Sequence, residues 1–89
     1  MSMDAATREK LHMAGLTSAD LAWIDSFGGD DAAVPKPRPY EIDDYRRREA
    51  ALNASVAPLS FAERGASLEG RLAAAIGARV ADALDPEEE

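Results

Sequence analysis

The sequence lacks the residues on which several common kinds of site depend. It contains no cysteine and only one histidine, His12, among 89 residues. Without cysteine there is neither a disulfide framework nor a thiolate for metal binding, and catalysis by a nucleophile, a histidine and an acid would depend on His12 alone. The spacing of Asp25, Asp30 and Asp31 does not match a calcium-binding loop. We therefore predict no metal, no cofactor and no enzymatic activity.

Long apolar runs and β-branched residues are also scarce. No stretch has the roughly 20 apolar residues of a membrane span, and no export signal is visible, so we expect a cytoplasmic protein that does not bind membranes. Alanine supplies 19 residues, which favours helix over strand. We predict an all-α fold in one small domain, 1–89, with three or four helices. An extended proline-rich segment, 28–39, separates the second and third helices, and 85–89 forms an acidic tail.

Positive charge is in short supply and unevenly placed. The net charge of −7 divides into −4 over residues 1–34, +2 over 35–48 and −5 over 49–89. An acidic surface repels phosphate groups, and a candidate recognition helix at 18–27 has no basic side chain for base edges. We therefore expect no direct binding to nucleic acid.

Local capping patterns indicate two short helices near the N-terminus. Asp4 is suited to cap a helix that runs to about residue 14, and Gly15 stands where a left-handed residue ends a helix. Thr17 and Asp20 then resemble a capping box that opens a second helix. We expect Gly28 and the glycine after it to end that helix, and the prolines that follow to hold 28–39 extended, as a strap laid over the surface or as a solvated linker.

A third helix is predicted over residues 40–53, with Pro39 in its first turn. Two pairs of opposite charge four positions apart, Asp43 with Arg47 and Asp44 with Arg48, would support it. We interpret the basic run 46–48 as a charge-paired solvent face, and an anchoring patch for an acidic partner is the alternative.

The strongest pattern lies in the last helix, where a large apolar residue recurs at every fourth position. This row comprises Leu68, Leu72, Ile76, Val80 and Leu84. It drifts around the helix and predicts a broad apolar face that is buried against several neighbours. The helix begins either at the capping box of Ser60 or, after an initial turn, at Ser67, and we expect Asp85 and the proline after it to stop it. Small residues beside the row predict close helix packing.

Two residues stand out as candidate partner contacts. Trp23 lies off the apolar face of the second helix, which suits an interface anchor or a cover for the small core. Arg79 interrupts the apolar row. Either its aliphatic stem crosses the apolar surface, or its guanidinium binds a carboxylate from elsewhere. The predicted partner-binding residues are Trp23, Leu72, Ile76, Arg79 and Val80.

These observations favour a non-catalytic protein that binds other proteins. A thin core, a stiff strap and a wide apolar face predict a small accessory or regulatory subunit that docks on a larger protein or associates with itself. The alternatives are an acidic inhibitor that imitates nucleic acid and a structural component of a larger assembly such as a virion.

Overall fold

The computed structural model describes residues 4–84, and the fold within them is all-α, as predicted. Five α-helices lie in this part of the chain, rather than the three or four predicted, together with two single 3-10 turns. The helices are α1 (Ala5–Ala14), α2 (Ser18–Asp25), α3 (Ile42–Val56), α4 (Phe61–Ala66) and α5 (Leu68–Leu84). The 3-10 turns cover Asp31–Ala33 and Pro39–Glu41.

The first two helices begin and end where the capping residues predict. The Asp4 carboxylate accepts a hydrogen bond from the Thr7 backbone N–H at 2.8 Å, and Gly15 takes the left-handed conformation with φ of 114°. At α2, the Thr17 hydroxyl accepts from the Asp20 backbone N–H while the Asp20 carboxylate accepts from the Thr17 N–H. Both caps satisfy backbone groups that a helix end leaves unpaired.

The segment 28–39 is a strap rather than a solvated linker. Gly28 and Gly29 both have a positive φ, which turns the chain away from α2. The 3-10 turn that follows was not expected; it forms because the Asp30 carboxylate accepts from the Ala32 N–H at 3.0 Å. The chain then runs extended, and Val34 is only 2% exposed.

The last two helices confirm the prediction in which an initial helical turn comes first and the main helix begins at Ser67. Ser67 separates α4 from α5, and its hydroxyl accepts a hydrogen bond from the Gly70 backbone N–H at 2.9 Å. The predicted stop at Asp85 and the acidic tail, 85–89, lie outside the described residues. The third helix extends to Val56, three residues beyond the predicted end.

The core forms where α5 packs along α3, which is the most extensive contact between helices of the described chain. Small residues on α5 permit the approach: Ala73 is buried, and a Cβ added to Gly77 would lie 2.6 Å from the Glu49 carboxylate of α3. The buried hydrophobic residues are Leu11, Leu16, Leu21, Ile24, Val34, Tyr45, Leu52, Val56, Leu72, Ala73, Ile76 and Val80.

Candidate protein interaction surface

Three of the predicted partner-binding residues belong to the core of the chain itself. Leu72 and Ile76 are fully buried and Val80 is 6% exposed. The apolar row therefore indicates burial correctly at these three positions, whereas Leu84 at its end is 50% exposed. The neighbours belong to the same chain, because α5 packs against α3, α4 and the 3-10 turn Asp31–Ala33. In this conformation these three side chains offer no surface to another protein, so the docking surface has to be sought elsewhere.

Trp23 is half-buried and packs within a cluster that joins α2 to α3. Its ring centroid lies 5.1 Å from those of Phe27 and Tyr45, and both pairs meet edge to face. The guanidinium carbon of Arg48 lies 4.4 Å from the Trp23 centroid, which is cation–π geometry. The indole thus contributes to the fold, as the alternative interpretation of Trp23 proposed.

Beside this cluster, the buried carboxylate of Asp20 binds two arginines of α3. Asp20 is 1% exposed and accepts from Arg47 Nη1 and Nη2 at 2.8 and 2.9 Å and from Arg48 Nε at 2.8 Å. The hydrogen bonds from Arg47, then those from Arg48 and the Thr17 N–H, hold the pKa of Asp20 well below its usual range, although burial acts in the opposite direction. This network fastens α2 to α3.

The predicted partners of these arginines are therefore wrong. Asp44 approaches Arg47 only at 3.8 Å, as a neighbour three positions away. Arg48 is also not part of a solvent face, because its side chain is only 13% exposed. Both arginines bind Asp20, which is distant in the sequence, instead of the predicted carboxylates four positions before them. Asp20 is the stronger partner because two guanidinium groups can satisfy a carboxylate that has been removed from water. Within the run, Arg46 and Arg47 are exposed residues.

Arg79, the last predicted contact, binds the strap. Its Nε donates a hydrogen bond to the carbonyl oxygen of Val34 at 2.8 Å, and its Nη1 lies 3.3 Å from Asp82. The Tyr45 hydroxyl donates to the next carbonyl, that of Pro35, at 2.9 Å. The guanidinium thus meets a backbone acceptor of the same chain, and it fixes the strap between α3 and α5.

A groove lies on another side of the molecule, between α3, α4 and α5. Its volume is about 330 Å³, and mostly apolar atoms line it. The lining residues are Asn53, Phe61, Arg64, Gly65, Gly70 and Ala74. Phe61 is the feature that distinguishes this site, because its side chain is 91% exposed although aromatic residues usually bury most of their surface.

Local interactions hold α4 in place at the groove. The Ser60 hydroxyl accepts from the Glu63 N–H, and the Glu63 carboxylate accepts from the Ser60 N–H at 2.8 Å; these hydrogen bonds lower the pKa of Glu63. Arg64 donates to the carbonyl oxygens of Leu59 at 3.1 Å and Ala57 at 2.9 Å. The capping box therefore fixes the first turn of α4, where Phe61 stands.

The surface around the groove is unusually free of charge. Residues 50–62 contain no charged side chain in a chain in which 30% of residues are charged. Ala50 on α3 and Ala57 at its C-terminal cap are exposed one turn to either side of Asn53. On α5, Ala78 is exposed one turn beyond Ala74. We call this surface the neutral face, defined by Ala50, Asn53, Ala57, Phe61, Gly65, Ala74 and Ala78.

Sequence reasoning missed the neutral face, although one observation points to it. Near its end, the uncharged stretch 50–62 contains an aromatic residue, Phe61, at the first position of a capped helix. At such a position an apolar side chain either covers the core or points outward, and the choice depends on how α4 turns at Ser67. That turn is a property of the tertiary structure.

The described residues offer little for other kinds of site. His12 donates from Nδ1 to the carbonyl oxygen of Leu16 at 3.1 Å, in the turn after α1. Across residues 4–84, histidine and carboxylate side chains form no group of three that could hold a metal ion. In the same range, every helix is too short or too polar to cross a membrane.

The chain matches no protein-family model, no curated protein and no solved structure. Its function is therefore inferred from its own geometry.

Proposed function

We propose that the protein is a non-catalytic, cytoplasmic accessory or regulatory subunit that docks on a larger protein through the neutral face. The exposed side chain of Phe61 beside the groove carries this proposal. Protein interfaces are enriched in aromatic residues and depleted of charge at their centres, and the neutral face combines both properties. Burying one phenylalanine contributes about 2 kcal/mol, which is enough to anchor a contact.

The proposal of a non-catalytic role rests on how the polar groups are used. The only histidine stabilises a turn, and the buried carboxylate of Asp20 is fully engaged with two arginines. The lowered pKa of Asp20 makes this carboxylate a poor proton-transfer residue, because a catalytic acid or base needs a pKa near the working pH.

Acidic mimicry of nucleic acid receives less support. It requires free carboxylates clustered on one face, whereas Asp20 binds Arg47 and Arg48 within the protein. Glu69 likewise lies 3.2 Å from Lys10. If the protein is instead a structural component of a larger assembly, the neutral face would form that contact as well, and the variant Phe61→Ser tests it.

The decisive experiment compares the capture of partners by the wild-type chain and by Phe61→Ser. Each tagged protein would be expressed in its native host, cross-linked and purified, and co-purifying proteins would be quantified. We expect the Phe61→Ser variant to lose its larger partner at least about tenfold, because about 2 kcal/mol of burial corresponds to more than a factor of ten in affinity.

Met13→Ser provides the matched control. Met13 is 82% exposed and lies on α1, so the same apolar-to-polar change is made away from the neutral face. Equal loss in both variants, or full retention in Phe61→Ser, would contradict docking through this face.

A further inference from the structure

We propose that, in the absence of a larger partner, a second copy of this chain occupies the neutral face. The two copies are related by a two-fold axis, and Phe61 of each copy enters the groove of the other. This inference rests on the proposed function, because it requires the neutral face to be a protein-binding surface.

The first argument is that the neutral face is complementary to itself. A two-fold dimer uses the same patch on both subunits, so the patch must contain both a projecting group and a recess that receives it. Phe61 projects with 91% of its surface exposed, and the groove beside it offers about 330 Å³. A cavity of about 150 Å³ is enough to hold a benzene molecule. A phenyl ring therefore fits the groove with room to adjust.

The second argument concerns charge. Each copy carries a net charge of −7, so two copies repel each other over most of their surfaces. The uncharged stretch 50–62 contributes much of the neutral face. Arg64, the charged residue of the groove lining, already donates to the Leu59 and Ala57 carbonyls. The neutral face therefore brings few like charges together when two copies meet, and Arg64 is the charged residue in the groove lining.

The third argument is that the projecting group is already in position. The capping box of Ser60 and Glu63 fixes the first turn of α4, so the backbone at Phe61 needs little further ordering when the side chain binds. Preorganisation of this kind lowers the entropic cost of association.

The oligomeric state measured by sedimentation equilibrium tests the inference. We expect the wild-type mass to rise from monomer to dimer over about a hundredfold range of concentration, as mass action requires. Phe61→Ser removes two buried phenylalanines per dimer and should weaken association at least about 100-fold. Ala74→Gln, a helix-compatible change at an exposed position, obstructs the recess and should weaken it similarly. Met13→Ser should leave it unchanged.

Mixing the two weakened variants tests the reciprocal geometry. The Phe61→Ser copy keeps an unobstructed groove that lacks only the Phe61 side chain from its lining. In a mixed dimer, the intact Phe61 of the Ala74→Gln copy enters this groove, so one of the two contacts is partly restored. We expect the mixture to associate more tightly than either variant alone. If the mixture stays as weak as its components, the proposed insertion of Phe61 into the groove is wrong.

The same measurements separate this inference from the proposed function. A wild-type chain that stays monomeric at every concentration, or a dimer that Phe61→Ser leaves intact, overturns the inference. The proposed function fails only if the larger partner is retained by Phe61→Ser. Circular dichroism and thermal unfolding would establish that each variant is folded before its mass is interpreted.

Discussion

The side chain of Asp20 has two structural roles: it caps α2, and it binds α2 to α3. One of its oxygens caps α2 by accepting from the Thr17 N–H, and both oxygens bind arginines that lie 27 and 28 positions further along the chain. A carboxylate that is 1% exposed is costly to remove from water unless such partners surround it. The network therefore stabilises the fold only while all three charges are present.

Replacing this carboxylate by an amide should be strongly destabilising. In Asp20→Asn the charge disappears while Arg48, 13% exposed, remains partly desolvated without its counter-ion. Breaking a buried ion pair from one side costs about 3 kcal/mol, and we expect a loss of that size in the free energy of unfolding measured with urea. Asp43→Asn, an acidic-to-amide change at an exposed position of α3, should change it by less than about 0.5 kcal/mol. Equal effects of the two substitutions would contradict the role assigned to Asp20.

The same carboxylate should make stability dependent on pH in the acid range. Because the pKa of Asp20 is lowered in the folded protein, the folded state binds this proton less readily than the unfolded chain, whose aspartates have a pKa of about 3.9. The contribution of Asp20 is therefore complete above about pH 5 and is lost as the pH falls below about 4. Wild-type unfolding free energy should fall more steeply there than that of Asp20→Asn, and parallel curves would refute this assignment.

Arg79 should contribute to folding, because its guanidinium supports the strap. Arg79→Ala leaves the carbonyl of the buried Val34 without its donor, and an unsatisfied buried acceptor costs about 1–2 kcal/mol. We expect a loss of that size in unfolding free energy and faster amide exchange in 30–38 than in the core helices. Arg46→Ala, on the exposed side of α3, is the control. Unchanged exchange in the strap would show that Arg79 does not hold it.

At the scale of the elements, the joint between α4 and α5 sets the shape of the groove. Gly70 lies in the first turn of α5, and a Cβ at this position would lie 1.9 Å from the carbonyl oxygen of Arg64. The α4 backbone can therefore approach α5 this closely only because residue 70 lacks a side chain. Ser67 fixes the turn by accepting from the Gly70 N–H.

Two alanine substitutions at glycines should consequently have opposite effects. Gly70→Ala forces the α4 backbone away from α5, and we expect a loss of about 3 kcal/mol in unfolding free energy, at the upper end for overpacking. Gly65→Ala, in the same region, meets nothing within 4 Å and should gain up to about 1 kcal/mol from its helix propensity. Thermal unfolding of both variants checks the difference in sign. Two losses of similar size would mean that backbone contact at Gly70 is not the cause.

The boundaries of the elements show where local sequence information is sufficient. The caps at Asp4, Thr17 and Ser60 act over three residues, so the sequence alone predicts where α1, α2 and α4 begin. The partners of Arg47 and Arg48 could not be predicted in this way. Local carboxylates lie at favourable spacing, and only the packing of α2 on α3 brings Asp20 within reach.

At the scale of the whole molecule, the chain combines an apolar core with a charged surface that the neutral face interrupts. The periodic row in the last helix predicts the core correctly at Leu72, Ile76 and Val80, because periodicity reports which side of a helix is buried. It is wrong at Leu84, the end of the row, which is 50% exposed. It cannot report whether the covering surface belongs to the same chain. That ambiguity led to Leu72, Ile76 and Val80 as docking residues, although α5 buries all three internally, while Phe61 escaped attention.

The overall charge leads to a final prediction about the strength of self-association. Each copy carries −7, and raising the salt concentration from about 0.1 to 1 M shortens the screening length from about 10 to 3 Å. Screening weakens the repulsion between copies but leaves the contact at Phe61 intact, so the dimer should become severalfold tighter in sedimentation equilibrium. An interface made of ion pairs would weaken instead, and that outcome would exclude the neutral face. Phe61→Ser should stay monomeric at both concentrations, because screening without the apolar anchor leaves nothing to hold the copies together.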